Sequence, residues 1–313
     1  MTHSPTTSLQ PLAAEHRPAR VRLARSLAEA PVRSLVHVDR HGRVRSPARY
    51  RVLRAASYLL LGGTLVAGLG LYGSLLGVPG FLLGAALCAW AGWSAGQGSR
   101  LEQAVRLLVL DRFDEAEALL RGLVQGRLVP VGLRALALQH LGVVCGRQGR
   151  YAEALGHQGQ ALRLRGRQER WVFAQALRCA QAVTLVNLGR PDDAAAQLQA
   201  VGDPPHGDYA RLLFDTAGLY VAMAQGRVPL PEVRLHEQTR HALGITGAAA
   251  LLGLCAWAWR VLGDVEQSRL CLREAFDRAD GLHLPRSMPV LYRWMHAHAA
   301  DAGVPADGME LPA

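Results

Sequence analysis

Lysine is absent from this chain, because all 35 basic side chains among its 313 residues are arginine. Its absence excludes a phosphate-binding loop with a terminal lysine, a lysine Schiff base and a kinase-type lysine. Cysteine is also scarce: five residues, an odd number, with no CxxC pair, at Cys88, Cys145, Cys179, Cys255 and Cys271. This usage favours apolar thiols in a reducing compartment over a disulfide framework.

Charge is missing from one long stretch, since no Asp, Glu, Arg, Lys or His occurs between Ala55 and Ser99. The turn signal Val78-Pro79-Gly80 divides this stretch into two segments. As helices they would be about 34 Å and 27 Å long, against a hydrocarbon core about 30 Å thick. Eleven of the 33 glycines also lie here, and lipid-embedded helices tolerate glycine well. The sequence therefore predicts a transmembrane hairpin over residues 55–99 rather than a buried hairpin of a soluble core.

Arginine predicts the orientation of this hairpin. Several arginines lie on either side of residues 55–99, whereas the turn between the two segments carries no charge. The positive-inside rule then places both ends of the chain on the cytoplasmic side of a bacterial-type inner membrane. The alternative is one span followed by a re-entrant second segment, which would export the C-terminal part. Residues 1–20 are polar, so no signal peptide is expected.

The N-terminal segment is strongly basic, with eleven arginines against three acidic residues in residues 1–56. We expect residues 1–54 to be largely disordered, cytoplasmic and close to anionic lipid headgroups. A weak alternation from Ser34 to Arg45, around His41-Gly42, predicts a small β-hairpin. A nucleic-acid- or lipid-binding regulator that uses this arginine-rich segment is the alternative function. No recognition motif accompanies the charge, so nucleic acid is not the expected partner.

A repeat begins after the charge-free stretch. Its clearest copy places large and small residues at fixed spacing: Leu138, Leu141-Gly142, Cys145, Gly149, Tyr151, Ala154 and Ala161. This pattern resembles the tetratricopeptide repeat family, whose unit is a pair of helices. Small residues at Gly142 and Ala154 let the two helices of a pair cross closely, and Ala161 does the same for the next pair. The positions expected to pack the repeats are Leu141, Gly142, Tyr151, Ala154, Ala161, Ala194, Ala256 and Ala275.

The same register returns along the chain. Its small positions are Ala116, Ala154, Ala194 and Ser268, and the last interval, 74 residues, is twice 37. We therefore expect one degenerate unit between 194 and 268, with helices Asp208–Ala224 and Glu232–Leu243, and a closing helix near Pro289–Ala300. The predicted fold is all-α: the membrane hairpin, then an α-solenoid of about five tetratricopeptide-like pairs and a capping helix over 100–302, and a loose tail at 303–313. The family's Trp and Pro are missing, so a general helical-hairpin solenoid is the alternative.

Each pattern that resembles a catalytic or cofactor-binding motif lacks the structural context that the motif requires. Gly68-x-Gly70-x-x-Gly73 follows no strand, so it lacks the setting of a dinucleotide fingerprint. His236 and His241 are five residues apart, which places them about 140° apart on a helix and prevents a shared metal ion. The acidic pairs Asp114-Glu115 and Asp192-Asp193 suit the first turns of helices. We expect neither an enzyme nor a bound cofactor or metal.

The remaining candidate site is a surface. The resemblance implies that the first helices of the pairs line a groove that takes a peptide or a partner's helix. Transferred onto this chain, the predicted groove residues are Gln139, Arg147, Asn187, Trp257 and Arg260. The sequence thus predicts a membrane-anchored scaffold that docks a protein or peptide partner in the cytoplasm.

Overall fold

A computed structural model describes the greater part of the chain from residue 92 onward and short stretches before it. The described residues are 37–38, 44–45, 63, 78–79, 82, 84–86, 88–90, 92–108, 110–165, 172–202, 208–227, 230–245, 248–278 and 284–303. Most of the predicted segment 1–54, most of the predicted hairpin 55–99 and the tail from 304 lie outside them. Among the described residues, no helix combines the length and the apolar character needed to cross a membrane.

Helices make up almost all of the described structure. Residues 92–108 are helical, and Ala300–Ala302 form a short 3-10 helix. The intervening α-helices are α1 (Phe113–Gln125), α2 (Val131–Arg147), α3 (Tyr151–Arg165), α4 (Val172–Asn187), α5 (Pro191–Gln199), α6 (Asp208–Ala224), α7 (Glu232–Gly244), α8 (Ala249–Val261), α9 (Val265–Arg278), α10 (Leu284–Ser287) and α11 (Pro289–Ala297). The all-α prediction is confirmed for this part of the chain. Strands β1 (His37–Val38) and β2 (Val44–Arg45) pair antiparallel, which confirms the small hairpin.

The helices from residue 92 to residue 278 form five consecutive pairs. The turn that joins the two helices of a pair has the same backbone geometry in all five. In each turn one residue has a positive φ, at Asp111, Gly149, Gly189, Gly226 and Gly263. The next residue then donates its N–H to the carbonyl five positions earlier, at Leu107, Cys145, Leu185, Ala222 and Trp259. This is the Schellman arrangement that ends many helices. The packed helix pairs are compatible with a helical-repeat fold, and the two helices predicted for the degenerate unit are present as α6 and α7.

Acidic residues begin the second helix of two pairs. Asp192 and Asp193 lie in the first turn of α5, directly after Pro191, its first residue. Arg190 pairs with Asp193 at 2.7 Å. Asp114–Glu115 take the same place in α1. Each acidic pair therefore lies where a carboxylate stabilises the start of a helix.

Each pair has two recurrent positions, one on each helix, which we call its meeting positions. One is the fourth residue of the second helix, the other is seven residues before the turn residue, and all ten side chains or glycines are buried: Ala116, Ala154, Ala194, Leu235 and Ser268; Ala104, Gly142, Ala182, Leu219 and Ala256. In the second pair, a Cβ atom on Gly142 would lie 3.3 Å from the Ala154 carbonyl oxygen and 2.8 Å from Gln158 Cγ. Close approach of α2 and α3 therefore requires glycine here.

Replacement of Gly142 by valine is expected to lower the free energy of unfolding by about 1–3 kcal/mol. The added side chain would collide with α3, whose backbone carbonyl at Ala154 cannot rotate away. Chemical denaturation followed by circular dichroism would measure the loss. Gly146→Val is the matched control, because Gly146 lies in the same helix and nothing lies within 4 Å of an added Cβ there. An equal loss in both variants would contradict this account of Gly142.

The fourth pair departs from this pattern. Both of its meeting positions are leucine, Leu219 on α6 and Leu235 on α7, where the other pairs have Gly, Ala or Ser. Two leucines need more room than two alanines, so α6 and α7 cannot approach as closely as their counterparts. Helix α7 instead packs on α8. The degeneracy of this unit in the sequence thus has a structural counterpart.

Candidate functional site

The residues after the last pair form a segment that returns along the array. Helix α10 contacts α2, α11 contacts α6 and α8, and the 3-10 helix contacts α9. Helices α2, α6 and α8, together with α4 between them, are the first helices of four successive pairs. We call their shared face the groove, and residues 284–302 the C-terminal segment. The closing helix predicted near Pro289–Ala300 is present, but it lies along the groove rather than only capping the stack.

Two side chains of the array bind main-chain carbonyls at the start of the C-terminal segment. The Tyr151 hydroxyl donates to the Arg286 carbonyl oxygen at 2.6 Å, and the Asn187 amide donates to that of Ser287 at 2.8 Å. The Tyr220 hydroxyl donates to Asn187 Oδ1 at 2.7 Å and so orients this amide. Burial raises the pKa of Tyr220 and of Tyr151. Both hydroxyls therefore stay protonated and able to donate at neutral pH.

Apolar side chains hold the next part of the segment. Met288, Leu291 and Met295 are at most 5% exposed; Leu291 and Met295, one turn apart, lie on one side of α11, and Met288 is the residue directly before this helix. Gly253 of α8 forms their seat: a Cβ there would lie 2.6 Å from Met295 Sδ and 3.4 Å from Leu291 Cδ1. These residues belong to the same hydrophobic core as α4, α6 and α8.

An ion pair joins the far end of the segment to the array. Arg260 Nη1 lies 2.8 Å from Asp301 Oδ2, and both side chains are about one-third exposed or more. Pairs with this exposure contribute little to stability, typically below about 1 kcal/mol. The apolar contacts and the carbonyl contacts therefore dominate the attachment of the C-terminal segment.

The predicted groove residues fall into different environments. Asn187 and Arg260 contact the C-terminal segment, and Gln139 is half-buried on α2. Arg147 instead donates to the Leu108 carbonyl at 3.0 Å, at the end of the helical residues 92–108; burial lowers its pKa, and a charge nearby at Asp111 opposes this. Trp257 is only 7% exposed and belongs to the core. Gly253 and Arg260, one turn before and one turn after it on the same helix, both contact the C-terminal segment, so the assignment of Trp257 to the groove stays a prediction.

The repeat-packing residues are mostly hidden. Seven of the eight are buried: Leu141, Gly142, Ala154, Ala161, Ala194, Ala256 and Ala275. Tyr151 is half-buried, and its hydroxyl reaches the C-terminal segment. Sequence reasoning missed Gly253 and Tyr220 as groove residues. A glycine inside an otherwise apolar helix costs about 1 kcal/mol relative to alanine. Gly253 therefore indicates, from the sequence alone, that another element packs closely against α8.

A buried carboxylate lies between α6 and α7. Asp215 is 5% exposed; it accepts a hydrogen bond from Gln238 at 3.1 Å, and Arg211 and His241 lie 3.7 and 3.9 Å from its Oδ2. Burial raises the pKa of Asp215 despite these neighbours. A polar network thus occupies the pair whose two helices are held apart by leucine.

The pKa of Asp215 predicts how stability changes with pH. Because the folded state binds this proton more tightly than the unfolded state, ionisation of Asp215 destabilises the fold above its folded pKa. The cost disappears as the pH falls below the ordinary aspartate pKa of about 3.9. Asp215→Asn keeps the acceptor for Gln238, so we expect this variant to be more stable than the parent at pH 7. The gap should close toward pH 4 in parallel denaturation curves; a gap that widens there would contradict the assignment.

Cys145, Glu153 and His157 also come together, with ligand atoms within 4.8 Å of one another. A thiol, a carboxylate and an imidazole are a donor set that zinc accepts. However, the guanidinium of Arg150 already lies 2.8 Å from Glu153 and pairs with Glu117 as well. Burial lowers the pKa of His157 and raises that of Cys145. Arginine therefore fills the role that a cation would take among these carboxylates.

The other cysteine thiols of the array are buried and protonated near neutral pH. Cys179, Cys255 and Cys271 are at most 2% exposed and unpaired. Burial raises the pKa of Cys179 and of Cys255 to about 12, so both remain neutral thiols near pH 7. They fill apolar space in the core.

Comparison of the chain with protein-family models, with curated proteins and with solved structures yields no significant match.

Proposed function

We propose that the chain is a membrane-anchored scaffold of the tetratricopeptide-like type, which docks protein partners at the cytoplasmic face of a bacterial-type inner membrane. The observation that carries this proposal is that the groove holds a polypeptide. Tyr151 and Asn187 bind main-chain carbonyls, and Gly253 leaves room for apolar side chains. Main-chain contacts that supply affinity, together with apolar pockets that supply specificity, are the general means of peptide recognition.

Exposed large apolar side chains in the charge-free stretch support the proposed membrane anchor. In the described part of the charge-free stretch, Leu82 is 62%, Trp90 60% and Trp93 37% exposed. Such side chains are unfavourable in water, whereas tryptophan is enriched at the lipid–water interface. Residues 92–108 form one continuous helix that begins in the charge-free stretch and ends in the core of the array. The proposed second membrane helix would therefore enter the first repeat without a flexible linker, and anionic lipid would contact residues 1–54.

Accessibility labelling tests the anchor and its orientation. Cysteines are introduced singly as Arg20→Cys, Val78→Cys and Pro305→Cys in the full-length chain, with the native cysteines replaced by alanine, which adds no polar atom to the core. In intact cells, a membrane-impermeant maleimide should label only position 78, and the other two should react only after permeabilisation. Labelling of position 305 from outside would favour the re-entrant alternative. Release of the full-length chain by alkaline carbonate would contradict the anchor altogether.

Site-specific photo-crosslinking tests docking. A photoreactive residue replaces Val143, a half-exposed position on α2, or Val233, which is 72% exposed on α7. A discrete protein adduct should form through position 143 and not through position 233. The adduct should also be lost when Gly253→Leu fills the seat. Equal adducts at both positions would show that the groove is not the docking surface.

A further inference from the structure

The C-terminal segment shows what kind of polypeptide the groove accepts. We propose that the groove binds a partner helix with apolar residues at i, i+3 and i+7 and a proline one position after the first of them. We further propose that residues 284–302 occupy this place in cis until such a helix displaces them. This proposal rests on the docking function above and adds to it the chemistry and the regulation of the partner.

The spacing follows from the seat at Gly253. Leu291 and Met295, one turn apart, converge on this glycine, and Met288 precedes them by one further turn, at 5% exposure. Pro289 is the first residue of α11, where its fixed φ favours helix initiation and its missing N–H is not needed. A partner helix with the sequence pattern apolar-Pro-x-apolar-x-x-x-apolar would therefore reproduce the contacts of Met288, Leu291 and Met295.

The polar contacts fix the position of the bound backbone in the groove and do not discriminate between side chains. Tyr151 and Asn187 bind the carbonyls of residues 286 and 287, which directly precede the helix. Any residue except one that distorts the backbone can present these carbonyls. The groove therefore binds a short helical turn, α10, followed by a longer helix, and the apolar spacing supplies the discrimination.

Occupancy in cis reduces the apparent affinity for any competitor. A segment tethered to its own binding site has a high effective concentration, about millimolar for short flexible tethers. The competitor then binds only the fraction of molecules whose groove is open. Weakening the segment, without touching the groove, should therefore increase binding in trans.

A defined peptide tests this expectation with the full-length chain in detergent micelles. The probe is a fluorescent peptide with the sequence of residues 284–302. Leu291→Asp in the chain disrupts its own segment and leaves the groove intact, so we expect the probe to bind this variant about tenfold more tightly than the parent chain. A probe that carries the same Leu-to-Asp change should not bind.

A second change in the groove supplies the control. Adding Gly253→Val to Leu291→Asp fills the seat and should abolish binding of the probe. Adding Gly218→Val should not, because this half-buried helical glycine of α6 has nothing within 4 Å of an added Cβ. Equal probe binding by the two double variants would overturn the proposal.

A milder variant covers the case in which Leu291→Asp unfolds the chain, as judged by circular dichroism. Met295→Ala with Asp301→Ala changes only the segment, because it removes one apolar contact at the seat and the ion pair, and we expect about threefold tighter binding of the probe. An unchanged affinity would contradict the proposal. A stable dimer of the parent chain that exchanges this segment would instead assign the groove to a second copy and overturn it. Since the probe is defined, these outcomes do not depend on the labelling or crosslinking tests of the proposed function.

Discussion

Replacing Arg278 by alanine is expected to lower the free energy of unfolding by about 3–5 kcal/mol. The Arg278 side chain is 2% exposed and lies at the end of α9. Its guanidinium donates to the carbonyls of Ala242, Leu243 and Ile245 at 2.6–3.0 Å. These carbonyls lie at the C-terminal end of α7 and in the residue that follows it, where few backbone N–H groups remain: Ile245 N–H reaches the Ala242 carbonyl and Ala248 N–H reaches that of Ile245. Alanine would remove the charged donor from all three carbonyls and the guanidinium that lies 3.5 Å from the buried Glu274 carboxylate, and both losses are costly in a folded chain.

Two matched variants separate this role from loss of charge. Arg273→Ala removes an exposed arginine of the same helix and should change stability by less than about 0.5 kcal/mol. Arg278→Lys keeps the charge, but a single ammonium cannot reproduce the fork of a guanidinium, so its stability should fall between those of the parent chain and Arg278→Ala. Denaturation of the full-length variants, followed by circular dichroism, measures the differences. Similar losses in Arg273→Ala and Arg278→Ala would contradict the capping role.

The period of the array was predictable because two backbone requirements select residue types. A turn with positive φ selects glycine, and a close helix crossing selects Gly, Ala or Ser. Gly149, Gly189 and Gly263 mark three of the turns in the sequence. Asp111 adopts the same conformation without being glycine, so only the spacing of Phe113 and Ala116 revealed the first pair.

The packing of the fourth pair was not predictable in the same way. The 74-residue interval between Ala194 and Ser268 predicted where α6 and α7 lie. It could not show that Leu219 and Leu235 hold these two helices apart. What holds α7 instead comes from the next pair: Arg278 of α9 and Trp259 of α8. Contacts between residues this distant in sequence leave no periodic signal, so only the structure reveals them.

The groove was predicted as a surface, but its occupant was not. The stripe of Met288, Leu291 and Met295 indicates that one side of the last helix is buried. The stripe does not indicate against which surface, since the end of the stack and the groove offer similar apolar contacts. Asn187 and Arg260 were identified from the repeat register alone, and both contact the C-terminal segment. Register predicts which face of a helix lines the groove, but it does not predict what covers that face.

Trp259→Ala is expected to lower the free energy of unfolding by about 3–5 kcal/mol, comparable to Arg278→Ala. Trp259 is 1% exposed. Its indole N–H donates to Thr239 Oγ at 3.1 Å, and this hydroxyl donates to the Leu235 carbonyl at 2.8 Å. The His236 ring packs edge-on against the indole at 4.5 Å between centroids. Alanine would remove both the more deeply buried of the two tryptophans of α8 and its hydrogen bond to α7.

A double-mutant cycle divides this loss between packing and hydrogen bonding. Trp259→Phe keeps an aromatic ring but loses the N–H, and Thr239→Val keeps the shape of the side chain but loses the hydroxyl. The coupling energy of the two changes should be about 1 kcal/mol, the usual net value of a buried hydrogen bond. A coupling near zero would mean that the indole holds α7 by packing alone. In that case Trp259→Phe should retain most of the parent stability, and the splayed fourth pair would depend chiefly on Arg278 for its polar attachment to the fifth.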